Sequence, residues 1–290
     1  MAHHSNLRGI SFMLLSGFAF VLNDSFMKLA MEALPPYEVL LLRGLSGTFF
    51  ALILLSFMGD LQHWRTAFNR RVMQRAGLEA VAILTYILAL AHSPIGDVTA
   101  IFQITPLLVI LGMIFIHREQ STALRLCLVA LGFFGALLVA QPGNAASSPF
   151  ILLAFVTAIF AALRDLAARQ ISGTVPALLS TLVLILVVLT SALICGLIFE
   201  HWILPSFAVV QLTFAAGLFM MLGHYFTLLA YRHASAQAVA PFYYSFLLFA
   251  VIFGFVLFKD VPNWISVLGM VIIVTSGLAI MTLENRKVKA

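Results

Sequence analysis

The chain has 290 residues, of which 62% are hydrophobic and 9% are charged, and its mean hydropathy is +1.08. A soluble domain carries about 25% charged residues, and a single core of this size cannot bury so much apolar surface, so the composition excludes a soluble protein. The formal net charge of +5 comes from residues at the ends of apolar segments and not from a continuous basic face, which argues against nucleic-acid binding.

Ten apolar segments are long enough to cross a bilayer, because about 20 residues suffice for a transmembrane helix. Polar residues, prolines and glycines separate the segments, and the connections are too short to hold a soluble domain. The sequence therefore predicts an all-α integral membrane protein with ten transmembrane helices. In chain order the predicted spans are 9–31, 36–58, 73–92, 95–116, 122–141, 149–170, 174–199, 205–231, 236–258 and 261–283.

The positive charges predict how this topology is oriented. Twelve Lys and Arg residues, Arg75 among them, fall on one side of the ten-span arrangement, whereas Lys28 and Lys259 fall on the other. Cytoplasmic connections are enriched in Lys and Arg. Both termini are therefore predicted to be cytoplasmic, in a plasma membrane of the bacterial inner-membrane type.

The chain also aligns with itself at a shift of 141 residues. Each unit holds five spans, an odd number, so the second unit must enter the membrane from the opposite face. The sequence thus predicts two inverted five-helix repeats, 1–144 and 145–290, an architecture that many transporters share. Three pairs of charged residues are superposed by the shift: Asp24 with Asp165, Lys28 with Arg169, and Glu119 with Asp260.

Several short motifs carry a family resemblance. They are Asn23-Asp24 with Lys28 in span one, Glu38 through Arg43 at the start of span two, Thr105-Pro106 followed by Glu119, and the glycine pairs Gly132/Gly135 and Gly269/Gly277. With these motifs nearly the whole chain resembles the drug/metabolite transporter superfamily, specifically its ten-helix EamA-type carriers, and looks nearest to bacterial importers of riboflavin or S-adenosylmethionine. The resemblance implies a secondary transporter that works by alternating access, with a small-molecule substrate, no cofactor and no enzymatic activity.

Ionisable residues inside the spans are candidates for coupling or gating, because a charge in the hydrocarbon costs at least about 2.5–3.5 kcal/mol. Asp24 is either a structural partner of Lys28, one helical turn away, or a site for a proton or a charged group of the substrate. Arg43 either neutralises Asp24 or holds an anionic group of the substrate. Asp165 is the matching candidate in the second half, and Arg164 is interpreted as an interfacial anchor.

Polar and aromatic side chains inside the spans are candidates for substrate contact. Most of them recur at spacings of three, four or seven residues, which places them on one face of a helix. That face should turn toward the bundle interior, because acyl chains offer no hydrogen bonds. Packing within the bundle is the alternative for each tyrosine and for His224, which is also a candidate proton relay. The predicted substrate-binding residues are Asn23, Tyr86, Gln103, His224, Tyr243 and Tyr244.

These features predict a transporter of a small polar or aromatic metabolite, with a riboflavin-like or nucleoside-like compound as the first choice. The alternatives are an exporter of amino acids or drugs from the same superfamily, and a membrane receptor or scaffold that does not transport. The sequence contains no H-E-x-x-H, G-x-S-x-G, Walker A or GxGxxG motif, and its two cysteines lack metal-like spacing, so no metal site is expected. Protons are a candidate coupling ion, and a monomer or a homodimer is expected.

Overall fold

The structure is a computed structural model that describes residues 5–92, 98, 101–116, 118, 122–140, 150–171, 173, 175–258 and 263–289. The regular elements within these ranges are all helical, as the sequence predicts. In chain order they are α1 (Ser5–Met31), α2 (Pro36–Met58), a 3-10 helix (Asp60–Phe68), α3 (Arg70–His92), α4 (Thr105–Phe115), α5 (Ala123–Ala140), α6 (Ile151–Arg169), α7 (Ala177–Phe199), α8 (Phe207–His233), a short helix (Ala236–Val239), a second 3-10 helix (Ala240–Tyr244), α9 (Ser245–Phe258) and α10 (Trp264–Lys289).

Helical segments occupy all ten predicted span positions. Among the described residues, α1, α2, α3, α7 and α8 are long and apolar enough to cross a membrane, and shorter apolar helices stand at spans four, five, nine and ten. Large apolar side chains such as Phe57, Phe199 and Leu204 are exposed on the outside of the bundle, where lipid would cover them. The predicted repeat boundary at 144/145 lies outside the described residues, as do Glu119 and Asp260.

Spans four and nine are both interrupted, and a proline lies at each interruption. The chain makes a turn at 103–104 before α4 begins at Thr105, with Pro106 in its first helical turn. Span nine passes through the 3-10 segment that contains Pro241 before α9 begins. Proline lacks a backbone N–H and cannot continue the helical ladder. Interrupted helices at matching positions of two repeats are typical of the substrate-binding region of a transporter.

The packing of the helices follows the symmetry of two inverted repeats. If each helix n of the first half is exchanged with helix n+5 of the second, the contact between α1 and α8 becomes that between α6 and α3, and both are extensive. The same exchange relates the α1–α9 contact to the α6–α4 contact, and the α2–α8 contact to the α7–α3 contact. The contacts α2–α7 and α5–α10 are each mapped onto themselves. The two halves therefore interlock around a pseudo-twofold axis.

Hydrogen bonds between hydroxyl groups join both of the related helix pairs, α1 with α8 and α6 with α3. Ser16 Oγ lies 2.7 Å from Thr227 Oγ1, joining α1 to α8. Thr157 Oγ1 lies 2.8 Å from Thr85 Oγ1, joining α6 to α3. The shift of 141 places Ser16 on Thr157. Hydroxyl pairs of this kind hold helices together in lipid, where the side chains find few other hydrogen-bonding partners.

A carboxylate pair joins the halves at the predicted outer end of the bundle. Glu200, directly after α7, accepts hydrogen bonds from the backbone N–H groups of Tyr37 (2.9 Å) and Glu38 (3.2 Å) at the start of α2. Glu38 Oε2 in turn accepts from the N–H of Ile203 at 3.0 Å. Partial burial raises the pKa of Glu200, and the two N–H donors act in the opposite direction. Glu200 thereby satisfies N–H groups that the first turn of α2 cannot pair internally.

Close contact between α2 and α8 depends on Gly217, and substituting this residue should destabilise the protein. A Cβ atom at Gly217 would overlap Ser46 Oγ and the carbonyl oxygen of Arg43. We expect Gly217→Val to lower the free energy of unfolding by about 1–3 kcal/mol or more, the usual cost of overpacking. Thermal unfolding of the purified protein in detergent measures this change. Gly77→Ala is the control, because a Cβ at Gly77 meets no atom within 4 Å and the control should be neutral or stabilising. Equal melting temperatures for the two variants would contradict the assigned contact.

Candidate substrate-binding site

A cavity lies between the two halves, beside the interruptions in spans four and nine. It encloses about 940 Å³ of empty space, including its opening to solvent. Both repeats contribute to its walls, so a ligand in the cavity would contact both halves at once. The lining residues are Met13, Ser16, Gly17, Phe20, Asn23, Asp24, Arg43, Glu79, Ala82, Ile83, Tyr86, Phe102, Gln103, Thr157, Ala161, Arg164, His224, Tyr243 and Phe246.

The cavity brings together most of the residues that the sequence singles out. Tyr244 does not line it: its ring is 1% exposed and packs against Gly132. Asp165 is also 1% exposed and lies behind Arg164. The predicted residues that do line the cavity are Asn23, Asp24, Arg43, Tyr86, Gln103, His224 and Tyr243.

The lining is itself pseudo-symmetric. The shift of 141 relates the lining residues to one another in five pairs, and both residues of each pair line the cavity. The pseudo-twofold axis therefore passes through the cavity. Such a position suits a site that must face each side of the membrane in turn. The pairs are Ser16/Thr157, Phe20/Ala161, Asn23/Arg164, Ile83/His224 and Phe102/Tyr243.

An ion network centred on Arg164 closes one end of the cavity. Arg164 Nη1 lies 2.5 Å from Glu79 Oε2, Nε lies 2.8 Å from Asp165 Oδ1, and Nη2 donates to the Tyr243 hydroxyl at 2.9 Å. Arg164 is only 6% exposed. The interpretation of Arg164 as an interfacial anchor is therefore wrong: two carboxylates stabilise its charge in the interior.

Residues from α8 extend this network. The Tyr231 hydroxyl donates to Asp165 Oδ2 at 3.2 Å, and His224 Nε2 lies 3.4 Å from Glu79 Oε1. Arg75, counted above among the cytoplasmic charges, is instead 1% exposed within α3. The network thus joins α3 of the first half to α6 and α8 of the second.

A second polar cluster lies toward the other end of the cavity. Asn23 Nδ2 donates to Asp24 Oδ1 at 2.8 Å, and Arg43 Nη1 donates to Asn23 Oδ1 at 3.3 Å and contacts Met27 Sδ at 3.0 Å. Arg43 is 5% exposed, and its Nε has no hydrogen-bond partner in the described part of the chain. Asp24 has accessible surface in the cavity wall although it lies well inside α1. The cluster therefore offers a donor on Arg43 and an acceptor on Asp24.

The formal charges on the cavity wall cancel. Two acidic and two basic side chains line the described wall, and such a site requires no net charge on its ligand. A polyphosphate would need several additional cations. The four side chains are Asp24, Glu79, Arg43 and Arg164.

Aromatic rings form much of the remaining wall. The Phe20 and His224 rings meet edge to face with centroids 4.9 Å apart, and those of Tyr86 and Phe102 are 5.8 Å apart. Aromatic walls combined with a few polar groups suit a planar ligand with hydrogen-bonding edges. Among the described residues, no group of three or more His, Cys, Asp or Glu side chains is arranged to hold a metal ion.

Glu79 and Arg164 are the charged lining residues that the predicted substrate-binding and coupling sets leave out. Glu79 is seven residues before Tyr86, so the two share a helix face, and this spacing is a signal that could have identified Glu79. Arg164 has a weaker signal, because it lies close to the end of its helix, where an arginine commonly reaches the membrane surface.

Comparison with known proteins assigns the chain to a family. The model of the EamA-like transporter family matches residues 7–141 and 148–282, once in each half. A solved crystal structure covers 98% of this chain and 100% of its own with a TM-score of 0.82, at 16% sequence identity, and so shares the fold.

Related proteins of similar length are transporters. The riboflavin transporter of Rhizobium johnstonii is 29% identical, covering 96% of this chain and 92% of its own. The pseudopaline exporter of Pseudomonas aeruginosa is 25% identical over 94% and 95%, and the S-adenosylmethionine uptake transporter of Rickettsia prowazekii is 24% identical over 98% and 96%. With an all-helical fold, a cavity between its halves and a family match in each half, this chain belongs to the EamA-like transporter family of the drug/metabolite transporter superfamily.

Proposed function

We propose that this transporter is a secondary carrier of a small planar metabolite with polar edges, riboflavin-like or nucleoside-like, and that it works by alternating access. The observation that carries the proposal is the cavity on the pseudo-twofold axis, with aromatic walls and balanced charges. The riboflavin transporter among its relatives supports the choice of substrate class.

The cluster at the open end of the cavity favours a ligand edge that both accepts and donates hydrogen bonds. Arg43 lines the cavity, and Asp24 is exposed in its wall. A ring edge that carries a carbonyl next to an N–H would receive a hydrogen bond from Arg43 and give one to Asp24. Charge-assisted hydrogen bonds of this kind are stronger than neutral ones, and they orient the ligand.

The difference between Asp24 and Asp165 supports alternating access. Asp24 is exposed in the cavity, whereas its symmetry mate Asp165 is 1% exposed inside the Arg164 network. If the repeats 1–144 and 145–290 exchange conformations, the second state exposes Asp165 and buries Asp24. With both termini in the cytoplasm, the present cavity opens to the outside.

The second candidate is an exporter of zwitterionic amino acids. It is favoured by one observation: Arg43 and Asp24, of opposite charge, are bridged by Asn23, and they would suit a carboxylate and an ammonium on one ligand. The related proteins include an exporter as well as an uptake transporter, so the direction of transport has to be measured.

Transport by purified protein in liposomes tests both candidates. Labelled riboflavin, uridine, S-adenosylmethionine and tryptophan are offered separately, with and without an imposed pH gradient. We expect saturable uptake of riboflavin or uridine, and uptake that increases with the gradient would identify protons as the coupling ion. Saturable transport of tryptophan alone would support the second candidate instead.

A matched pair of variants places the substrate in the cavity. Phe102→Leu removes an aromatic wall, and we expect it to lower the apparent affinity up to about tenfold, since aromatic pairing contributes about 0.5–1.5 kcal/mol beyond burial. Phe134→Leu makes the same change on a residue that is 53% exposed outside the cavity and should leave transport unchanged. Absence of uptake of all four compounds by folded protein, or equal effects of the two substitutions, would overturn the proposal.

A further inference from the structure

Arg75 is a buried cation that has no carboxylate partner in the described part of the chain. It is 1% exposed, and within the described residues no carboxylate oxygen lies within 4 Å of its guanidinium. Its contacts are long: Nη1 lies 3.5 Å from Ser180 Oγ and Nη2 lies 3.4 Å from the carbonyl oxygen of His224, while Nε has no partner among the residues that the structure describes. Well-formed N–H···O bonds are about 2.9 Å long. A guanidinium held so loosely in the interior is costly, and an ionisable residue kept inside a membrane bundle at such a cost indicates a functional role.

The carboxylate nearest to Arg75 along α3 belongs to Glu79, four residues later. Side chains at positions i and i+4 are neighbours on a helix surface. In this structure Glu79 is bound instead by Arg164, at 2.5 Å, across the contact between α3 and α6. Glu79 therefore has one cation on its own helix and a second on the other half of the protein.

Opening the closed end of the cavity would break the bond between Glu79 and Arg164. Alternating access requires the two halves to separate at the end where the Arg164 network joins them, and α3 packs along α6 there. Arg164 would keep Asp165, which lies 2.8 Å away on its own helix. Glu79 would lose its cation in the wall of the opened cavity, and a carboxylate without a partner inside a membrane protein is costly.

We propose that Glu79 passes from Arg164 to Arg75 when α3 and α6 separate, so that its carboxylate stays paired in both end states. Arg75 is then a positioning residue that acts through Glu79; it does not line the cavity and does not contact the substrate in this state. The proposal rests on the alternating-access function proposed above. The shift of 141 places Glu79 on Met220 and Arg75 on Ala216. The transfer of Glu79 between two arginines is therefore possible at this end of the cavity and has no equivalent pair of residues at the other end.

The distance between α3 and α6 tests this transfer without any knowledge of the substrate. In full-length protein with Cys127→Ser and Cys195→Ala, spin labels at Met73 and Gln170 report the opening of this end in lipid nanodiscs by double electron–electron resonance. The parent protein should show a short and a long distance. Arg75→Gln should reduce the long-distance population at least about tenfold, and Arg75→Lys should restore much of it.

The same measurement in a Glu79→Gln background separates the transfer from a packing role. That background has no charge to pass on, so adding Arg75→Gln should leave its distance distribution unchanged. A parent protein with a single distance under all conditions would overturn alternating access itself. Two populations that Arg75→Gln leaves unchanged, or an effect of equal size in the Glu79→Gln background, would overturn the transfer alone. A lower melting temperature of the Arg75→Gln variant with unchanged distance populations would also overturn the transfer, because it would show that Arg75 contributes only to packing.

Discussion

An Arg164→Met variant is expected to lose about 3–5 kcal/mol of stability, which is enough to remove most of the folded protein. Methionine fills the space of the arginine stem but cannot pair with Glu79 or Asp165, which lie 2.5 and 2.8 Å from the guanidinium. Both carboxylates would then remain buried without their cation. Folded yield by gel filtration and thermal unfolding in detergent measure the loss.

A compensated variant shows whether unpaired charge is the cause. Arg164→Met combined with Glu79→Gln and Asp165→Asn removes all three charges while keeping similar side-chain volumes. We expect this triple variant to recover a large part of the folded yield, because breaking a buried pair costs much more than replacing the whole group. A single Arg164→Met variant as stable as the parent would show that the network contributes nothing to folding.

Replacing Asp24 with asparagine is expected to lower transport about 10- to 100-fold while the protein remains folded. The loss corresponds to a hydrogen bond to a charged group, which contributes about 1.5–3 kcal/mol. Folding should be preserved because Asp24 is exposed in the cavity, and an asparagine oxygen at this position can still accept from Asn23 Nδ2. Initial rates in proteoliposomes, divided by the amount of folded protein, measure the effect.

The control for this variant lies one helical turn further along α1. Lys28 is exposed and does not line the cavity, so Lys28→Gln neutralises a nearby charge of opposite sign outside the cavity wall and should leave the rate close to that of the parent. Asp24→Asn with full activity would mean that the carboxylate has a structural role. Equal losses in both variants would mean that transport depends on the pairing of Asp24 with Lys28 and not on Asp24 as a substrate contact.

The sequence predicts the membrane spans well, because the property that defines a span is local. A run of about 20 apolar residues needs a helix to satisfy its backbone in lipid, whatever its neighbours are. The predicted spans 36–58 and 174–199 accordingly correspond to α2, over Pro36–Met58, and α7, over Ala177–Phe199. The prolines at 106 and 241 likewise mark the two interruptions, since the missing N–H is a property of the residue itself.

Which face of each helix meets the cavity follows from packing and not from the sequence pattern. Tyr243 and Tyr244 are adjacent in a segment without clear polarity, yet one lines the cavity and the other packs against Gly132. Successive residues of a 3-10 helix point about 120° apart, so only the position of the neighbouring helices decides between them. The predicted substrate contact of Tyr244 therefore depends on a rotation that the sequence does not specify.

By itself the sequence determined the all-helical membrane class, the inverted repeat and most of the polar residues around the cavity. Those features follow from composition, hydropathy and the number of spans in each unit, each of which can be counted along the chain. The tertiary structure decided the partners of the buried charges: Arg164 pairs with Glu79 from the other half, and Arg75 is enclosed within the bundle. An ion pair across 85 residues depends on which helices pack together, and helix packing in a membrane is set by shape and close contact between surfaces that are almost uniformly apolar.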